Sequence, residues 1–239
     1  MTDIKQKIAL ITGGSKGIGL GIAKALLEKG AKVAITGRDE KSIEDALKTL
    51  KLIDGAEVIG IKSDVREKSS LDSAVSRIIK TWGRLDVVVA NAGVGHFASI
   101  DEMDDKLWHE TIDINLTGVF NTVKASVEEL KKTKGYIITI SSLAGTNFFA
   151  GGSAYNASKF GLTGFTQAIM LDLRKYGIKV STIMPGSVAT YFNNHTPGRN
   201  DEWKIQIDDL GKVVVDLLEM NPRTLPSKME IRPSMPPGA

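Results

Sequence analysis

A tyrosine and a lysine four residues apart, Tyr155 and Lys159, are the residues of this sequence best suited to proton transfer. In a helix this spacing places both side chains on one face. A phenol with an ordinary pKa of about 10 exchanges protons poorly near neutral pH, so chemistry requires a group that stabilises the phenolate. An ammonium about 4 Å away stabilises the phenolate by a few kcal/mol at an effective dielectric of about 20, which predicts a lowered tyrosine pKa. The same spacing is also common on solvated helix faces.

A glycine-rich turn, Thr12–Gly19, follows the apolar run Ile8–Ile11 and precedes residues at helical spacing that Gly30 closes. Strand, glycine turn and helix together bind phosphate, because glycines admit a close approach and the free amides at the helix start attract anions. A tight turn with no ligand would share this spacing. The candidate phosphate-binding residues are Gly13, Ser15, Lys16, Gly17, Ile18 and Gly19.

The end of the second predicted strand, Lys32 to Thr36, carries Gly37 and Arg38 before Asp39, a predicted helix N-cap. An acidic residue at the end of this strand suits the ribose 2′-hydroxyl of NAD, whereas an arginine suits the 2′-phosphate of NADP. Lys16 adds a second cation in the glycine turn. These residues predict NADP(H) as the cofactor, unless both cations are solvated surface charges.

Polar residues and glycines follow the later predicted strands at their carboxyl ends, where ligands bind in open α/β sheets. They are Ser63, Asp64 and Val65 after Glu57 to Lys62; Asn91, Ala92 and Gly93 after Leu85 to Ala90; Ser142 after Gly135 to Ser141; and Pro185 and Gly186 after Lys179 to Met184.

Strands and helices alternate along the whole chain. Helices are predicted over Leu71 to Lys80, over Met103 to Leu130 with Asn115 in the middle, around Tyr155, and over Asp208 to Met220, with a last strand over Met229 to Ile231. Strict alternation predicts an α/β fold: a Rossmann-like doubly wound parallel sheet in three layers (α/β/α). We expect a single domain over residues 1–239 that includes the substrate site.

Composition narrows the classes of function. The 31 Lys and Arg against 28 Asp and Glu give a net charge of +3 with no long basic block, which does not indicate nucleic-acid binding. The absence of cysteine excludes disulfides, thiolate metal sites and thiol nucleophiles, and the three histidines are far apart, so we expect no metal. No apolar stretch reaches the roughly 18 residues of a membrane span, and no signal-peptide pattern is present, so we expect a cytoplasmic protein that binds no membrane.

Taken together, these motifs resemble the classical short-chain dehydrogenase/reductase family from Thr12 to about Thr190. The glycine motif, the Asn91-Ala92-Gly93 motif, the helix residue Asn115 and the Tyr155-x-x-x-Lys159 pair match in family order. Family spacing selects Ser142 rather than Ser141 as the serine. Ala90 departs from the second asparagine that many members have there, and the C-terminal residues lack the glycine-rich ending common among oxoacyl carrier-protein reductases.

The resemblance implies roles for the catalytic set Asn115, Ser142, Tyr155 and Lys159. Tyr155 would exchange a proton with the substrate carbonyl oxygen, and Ser142 would orient that oxygen. Lys159 would lower the tyrosine pKa and hold the nicotinamide ribose, while Asn115 would anchor a water that links Lys159 to solvent. The family also implies adenine contacts from Asp64 and Val65, and carboxamide contacts from Pro185, Gly186, Val188 and Thr190.

The family further implies an NADP(H)-dependent oxidoreductase that interconverts a carbonyl and an alcohol and forms a homodimer or homotetramer. Phe148, Phe149, Tyr191 and Phe192 would line the substrate pocket and favour a small apolar ketone or aldehyde, although they are equally suited to core packing. The paired helices around Asn115 and Tyr155 would bury Val119, Val123, Phe165 and Leu173 between subunits. A 3-oxoacyl-[acyl-carrier-protein] reductase is the alternative within the family.

Two alternatives from other classes remain open. Gly13-Gly14-Ser15-Lys16-Gly17 fits the nucleophile-elbow pattern of a serine hydrolase, with Ser15 as nucleophile and His195 as a late histidine. That interpretation assigns no role to Tyr155 and Lys159, and covalent labelling of Ser15 by a fluorophosphonate would support it. The other alternative is a catalytically silent dinucleotide-binding module, which would have no reason to keep the four catalytic residues intact.

Overall fold

The computed structural model describes residues 3–236, apart from the side chain of Asn194, so residues 1, 2 and 237–239 of the predicted domain lie outside this description. The described chain contains a seven-stranded sheet. Its strands are β1 (Ile8–Thr12), β2 (Lys32–Gly37), β3 (Glu57–Lys62), β4 (Val87–Ala90), β5 (Tyr136–Ile140), β6 (Lys179–Pro185) and β7 (Lys228–Ile231). All are parallel, in the order β3-β2-β1-β4-β5-β6-β7, which confirms the predicted doubly wound sheet.

Helices cover both faces of this sheet. They are α1 (Gly17–Glu28), α2 (Glu40–Leu50), α3 (Lys68–Trp82), α4 (Asp105–Ile112), α5 (Gly118–Thr133), α6 (Ser153–Leu173) and α7 (Ile207–Glu219). The N-cap prediction for α2 is confirmed, because the Asp39 carboxylate accepts a hydrogen bond from the Ser42 amide at 2.8 Å.

The apolar core is divided by the sheet into two layers. Successive strand residues point to opposite faces, so Leu10 packs with α3, α5 and α6, whereas Ile11 packs with α1, α2 and α7. Val88 and Val89 in β4 divide in the same way. Strands that are buried on both faces need apolar residues at every position, which explains why their sequences run apolar without alternation. The three-layer α/β/α prediction is confirmed.

Helices α1 and α7 cross at a pair of glycines. A Cβ atom at Gly211 would lie 2.7 Å from the carbonyl oxygen of Gly21, and one at Gly21 would overlap the carbonyl group of Ile207. The two backbones therefore meet with no side chain between them. This contact joins α1, which follows the first strand, to α7, which follows the sixth strand.

The predicted continuous helix from Met103 to Leu130 is wrong. A π-helical turn, Asp113–Thr117, separates α4 from α5, and the amide of Gly118 donates to the carbonyl of Asp113, five residues back. A π-turn inserts one extra residue into the helical ladder, and such insertions occur mostly at functional sites. Asn115 lies in this turn.

The sixth strand is one residue longer than the predicted Lys179 to Met184. β6 continues through Pro185, which pairs with Ile231 of β7, and the Gly186 amide donates to the Ile231 carbonyl at 2.8 Å. Proline is tolerated there because it stands at the end of the strand, where its missing N–H removes no bond from the middle of the ladder.

Three of the four residues expected between subunits are already buried within one chain. Val119, Val123 and Leu173 pack in the core layer formed by α3, α5 and α6, and Phe165 is half-buried at its edge. α5 contacts α3 as well as the sheet, so its buried arc is wider than one helix face. The apolar residues exposed on these helices are instead Phe120, Phe160 and Leu171, at 44%, 42% and 60%.

Candidate active site

A cleft of about 1010 Å³ opens at the carboxyl ends of the strands. It lies where the strand order reverses, with β2 on one side of β1 and β4 on the other, which is where open α/β sheets bind ligands. The predicted residues that line it are Gly13, Ser15, Lys16, Gly17, Ile18, Arg38, Asp64, Val65, Asn91, Ala92, Gly93, Ser142, Tyr155, Lys159, Pro185, Gly186, Val188 and Thr190. Gly19 and Asn115 are the two predicted residues that do not line it.

The glycine turn between β1 and α1 is shaped by close backbone contacts. Gly13 has a φ of +65°, and a Cβ atom there would lie 2.9 Å from the Cα of Ala92. Gly19 faces away from the cleft, because its Cβ position lies 2.5 Å from the Gly13 carbonyl oxygen. The turn thus presents bare backbone and the start of α1 to the cleft, as a phosphate group requires.

The ends of β1 and β4 are tied by two side chains. The Thr12 hydroxyl accepts hydrogen bonds from the amides of Asn91 at 3.1 Å and Ala92 at 3.3 Å. The amide nitrogen of the Asn91 side chain donates to the carbonyls of Thr12 and Gly13 at 2.9 and 3.1 Å. Asn91 therefore holds the glycine turn in place rather than pointing at a ligand. Thr12 begins the predicted glycine turn, but its hydrogen bonds to the end of β4 were not predicted.

At one end of the cleft lie the two cations predicted to select the cofactor. Lys16 is the N-cap residue of α1, and Arg38 follows β2. The Arg38 guanidinium forms a 3.6 Å ion pair with Glu110 of α4, whose other oxygen lies 3.3 Å from His96. No carboxylate stands at Gly37. The residues here fit a dinucleotide that carries a 2′-phosphate, and Glu110 is a competing anion that sequence reasoning missed.

Asp64, after β3, is held by a neighbour that sequence reasoning also missed. The Arg66 guanidinium donates to both carboxylate oxygens of Asp64, at 3.0 Å from Nε and 2.5 Å from Nη2. These hydrogen bonds lower the pKa of Asp64, so its carboxylate stays ionised. The side-chain amide of Asn121 on α5 donates to the carbonyls of Val65 and Arg66, which fixes the backbone of this wall.

Near the middle of the cleft, Tyr155, Ser142 and Lys159 come together. Tyr155 is only 8% exposed, and its phenol interacts with the Ser142 hydroxyl. The Lys159 ammonium lies 5.7 Å from the centre of the Tyr155 ring and donates to the carbonyl of Ile140 at 3.0 Å. Both Ser141 and Ser142 border the cleft, but the Ser141 hydroxyl is buried and bonded to Thr163, so Ser142 is the serine whose hydroxyl interacts with Tyr155.

Burial shifts both titrating groups toward their neutral forms. It raises the pKa of Tyr155 to about 12, although the Ser142 hydroxyl acts in the opposite direction. It lowers the pKa of Lys159 to about 8. The expectation that Lys159 lowers the tyrosine pKa is therefore not met in this structure, because desolvation disfavours each charged form more than the pair stabilises it.

Asn115 supports this centre from behind. Its side-chain oxygen accepts from the Val94 amide at 2.8 Å, and its nitrogen donates to the Val94 carbonyl at 2.9 Å and to Ser158 at 3.1 Å. Its side chain is fully buried and joins the loop after β4 to α6. These bonds use both N–H groups of the side chain, so a water bound by Asn115 would have to donate to one of its carbonyl oxygens.

Aromatic rings cover the side of Tyr155 that faces the cleft mouth. The Phe97 ring centre lies 5.4 Å from Tyr155 and 5.5 Å from Phe149, and the Phe192 centre lies 5.6 Å from Tyr155. Phe148 and Tyr191 also line the cleft but are largely exposed. The predicted aromatic lining is present. Phe97 was missed because it lies in a loop with no periodic pattern.

The serine hydrolase alternative finds no support in the hydrogen bonding of the described residues. His195 Nε2 bonds to Asp201 at 2.7 Å, and no hydrogen bond in residues 3–236 joins His195 to Ser15. Within the same residues there is no group of three side chains suited to hold a metal ion. None of the helices described is long and apolar enough to span a bilayer.

Comparisons with known proteins agree with this geometry. The family model for short chain dehydrogenase matches residues 7–200. An uncharacterized oxidoreductase of Staphylococcus saprophyticus is 30% identical over 98% of this chain and 100% of its own length. A 3-oxoacyl-[acyl-carrier-protein] reductase of Synechocystis is 35% identical over 80% of this chain and 77% of its own length. The structure of an alcohol dehydrogenase from the archaeon Thermococcus sibiricus, complexed with 5-hydroxy-NADP, is 29% identical, covers 96% of this chain and 97% of that one, and superposes with a TM-score of 0.91.

Proposed function

Because this chain belongs to the short-chain dehydrogenase family, we propose that it is an NADP(H)-dependent oxidoreductase that interconverts a ketone or aldehyde and its alcohol. The observation that carries the proposal is the buried Tyr155 phenol beside Ser142 and Lys159 in a cleft that can hold a dinucleotide. Carbonyl reduction needs a proton donor at the carbonyl oxygen, and Tyr155 is the group placed to provide it.

When bound, NADP(H) supplies or accepts the hydride. In reduction, the Tyr155 hydroxyl donates its proton to the carbonyl oxygen, and the Ser142 hydroxyl donates a hydrogen bond that orients the same oxygen. A phenol whose pKa is about 12 is fully protonated near neutral pH, which suits it to act as a proton donor. Lys159 would hold the nicotinamide ribose and favour the tyrosinate that remains, and the aromatic rings of Phe97 and Phe192 limit access of water.

The preference for NADP(H) is supported by Lys16 and Arg38 at the end of the cleft and by the absence of an acid at Gly37. Charge-assisted hydrogen bonds to a phosphate are the strong ones, and an arginine can form them in pairs. The Thermococcus alcohol dehydrogenase holds an NADP derivative in the same fold. Asp64 and Val65 would contact the adenine, and the segment from Pro185 to Thr190 the carboxamide.

The aromatic lining favours a small apolar carbonyl or alcohol as substrate. Phe97, Phe149 and Phe192 form an apolar wall over Tyr155, and an apolar substrate would bury its own surface against it. A 3-oxoacyl-[acyl-carrier-protein] reductase is the second candidate, because the Synechocystis relative carries that name. Arg232 and Pro233, near the C-terminus, also line the cleft. An oxoacyl reductase would have to admit its thioester substrate past these residues.

A panel of carbonyl compounds with NADPH, followed by the loss of absorbance of the reduced cofactor, tests the proposal. The panel includes apolar ketones and aldehydes, a charged sugar and an acetoacetyl thioester. We expect turnover of the apolar compounds at a higher kcat/KM than the sugar. Turnover of the thioester alone would favour the oxoacyl alternative, and turnover of none would contradict the assignment.

We also propose that the protein works in the cytoplasm as a homodimer or homotetramer, as one domain that contains the substrate site. The exposed stripe of Phe160, Gly164 and Leu171 on α6, next to Phe120 on α5, is the surface we propose for the contact between copies. This surface differs from the predicted set Val119, Val123, Phe165 and Leu173, three of which are buried within one chain.

A further inference from the structure

The segment between β6 and α7, residues 190–205, is a loop closed at its base. The Ala189 amide donates to the Ile205 carbonyl at 2.9 Å, and the Ile205 amide donates to the Ser187 carbonyl at 3.1 Å. Between these ends the chain forms two short 3₁₀ turns with no strand or α-helix. The loop therefore starts and ends beside the segment proposed to hold the nicotinamide.

The loop carries two aromatic side chains into the cleft. Phe192 packs on Tyr155, with ring centres 5.6 Å apart, and a Cβ atom at Gly95 would overlap the Phe192 ring. Trp203 lines the cleft near the other end of the loop. The position of the loop thus sets how much room remains above the catalytic phenol.

One carboxylate organises the inside of this loop. Asp201 is only 5% exposed, and one of its carboxylate oxygens accepts hydrogen bonds from His195 Nε2 at 2.7 Å and from the Gly198 amide at 2.9 Å. Its other oxygen forms an ion pair with Lys204 at 2.5 Å. The Gln206 side chain donates to the Asp201 carbonyl at 3.0 Å, which joins the same residue to the start of α7.

Apolar packing contributes little to the outer part of the loop. Tyr191, His195 and Arg199 are exposed, and the segment has no buried apolar residue between Tyr191 and Asp201. Segments with few buried apolar contacts open easily, so their polar contacts determine their conformation. Hydrogen bonds from Lys204 and His195 lower the pKa of Asp201, which keeps the carboxylate ionised throughout the neutral range.

We propose that Asp201 is a positioning residue for the carbonyl substrate: it holds the loop so that Phe192 and Trp203 form the wall of the substrate pocket. The inference rests on the proposed carbonyl chemistry. Asp201 itself does not line the cleft, so it would act through these two side chains. Loss of the carboxylate should therefore weaken substrate binding while the proton-transfer groups stay in place.

The test is Asp201→Asn in the full chain, assayed with NADPH and the best apolar ketone of the panel. The amide keeps the size of the side chain but loses the charge that holds Lys204 and His195. We expect KM for the ketone to rise at least about tenfold, kcat to change less than about threefold, and the Kd for NADPH, from cofactor fluorescence, to change less than about twofold. Trypsin should also cleave the variant faster after Arg199 or Lys204.

The matched control is Asp86→Asn, just before β4 at the amino ends of the strands, opposite the cleft. Asp86 is a carboxylate of similar burial, bonded to the Ile8 amide at 3.1 Å and to Arg84 at 2.6 Å. Its loss should lower thermal stability without changing KM, which separates a general loss of stability from loss of positioning.

Should Asp201→Asn fail to fold, His195→Ala removes a single partner of the carboxylate from a half-exposed position, and KM should then rise about threefold at unchanged Tm. An unchanged KM in a folded Asp201→Asn protein, or in His195→Ala when the first variant does not fold, would overturn the inference. An equal rise of KM in Asp86→Asn would also overturn it. Absence of turnover in the wild type would instead reject the proposed function, and the trypsin result would still report whether Asp201 orders the loop.

Discussion

Burial, rather than charge pairing, controls the state of the two residues at the centre of the site. Tyr155 and Lys159 both shift toward neutrality, with pKa values of about 12 and about 8. A spacing of four residues in a helix predicts that two side chains share a face, but it does not predict how far that face is buried from solvent. The phenol is thus protonated near neutral pH, as the proposed reduction requires, and the proposed reverse reaction would need this proton to be removed first.

Replacing the proton donor tests this assignment directly. Tyr155→Phe should lower kcat by at least about a thousandfold, because no other group is assigned to proton transfer at the carbonyl oxygen. The ring still packs against Phe97 and Phe192, so NADPH binding and Tm should change little. Retention of a tenth or more of the wild-type kcat would show that another group supplies the proton.

Lys159 makes stability depend on pH in a defined window. Its pKa is 10.5 in the unfolded chain and about 8 in the folded protein, so between these values the unfolded chain binds a proton that the folded protein does not. The free energy of unfolding therefore rises with pH from about 8 to 10.5, by on the order of 3 kcal/mol, and this contribution is flat below pH 8.

Urea unfolding of the wild type and of Lys159→Met at pH 8 and at pH 10.5 measures this effect. The variant lacks the Lys159 ammonium. From pH 8 to pH 10.5, the free energy of unfolding of the wild type should therefore rise by on the order of 3 kcal/mol relative to that of the variant. Tyr155 titrates in both proteins and cancels in the comparison. A difference that does not vary with pH would mean that the ammonium is hydrated in the folded protein.

We expect cofactor choice to depend on Arg38 and Lys16, with Glu110 acting against them. We expect kcat/KM for NADPH to exceed that for NADH by at least about tenfold, since one or two charge-assisted bonds contribute roughly 1.5–3 kcal/mol each. Glu110→Gln should increase the preference by a further two- to fivefold, approximately, because it removes a carboxylate that competes with the phosphate for Arg38.

The double change Gly37→Asp with Arg38→Ile should reverse this preference. A Cβ atom at Gly37 would lie 3.3 Å from the Ser15 hydroxyl, so the Ser15 side chain must shift by a few tenths of an ångström to admit the aspartate. The new carboxylate would bond the ribose hydroxyls of NADH and repel the phosphate. Equal efficiencies with the two cofactors in the wild type would show that the cations are only solvated charges.

At the scale of elements, strand ends were predicted well and side-chain directions were not. Apolar runs that end in glycine or asparagine located the rim of the cleft, because a buried parallel strand must be apolar throughout. The π-turn at Asp113–Thr117 was missed because hydrophobic spacing does not distinguish a helix from one with a single inserted residue. Arg66 and Phe97 were missed because each lies in an irregular segment that follows a strand. Such segments have no periodic pattern, and only the folded structure shows what their side chains contact.

The crossing of α1 and α7 should tolerate no side chain. Gly21→Ala places a methyl group against the Ile207 carbonyl, so we expect it to destabilise the protein by about 1–3 kcal/mol despite the better helix propensity of alanine. Gly164→Ala is the control: no atom of the chain lies within 4 Å of its Cβ position in α6, and the change should stabilise by up to about 1 kcal/mol. Both changes are made in a Phe120→Glu, Phe160→Glu background, because Gly164 lies on the surface proposed for the contact between copies. Urea unfolding gives both values, and equal stabilisation by the two changes would show that the helices separate easily.

At the scale of the whole molecule, the largest apolar residues left exposed on α5 and α6 mark the expected contact between copies. Light scattering at micromolar concentration should give a dimer or tetramer, since surfaces of this kind are usually covered. Phe120→Glu with Phe160→Glu should reduce the mass, whereas Leu52→Glu, an isolated exposed leucine, should not. A wild-type monomer would contradict this proposal.

The contact between Gly21 and Gly211 also bears on how the chain is made. About 190 residues separate the two glycines, so α1 cannot complete its packing until α7 has left the ribosome. Until then the apolar residues of α1, Ile22 and Leu26 among them, lack part of their cover. During synthesis the nascent chain is therefore expected to expose part of the apolar surface of α1 until α7 packs against it. Early release or stalling before that point should favour aggregation.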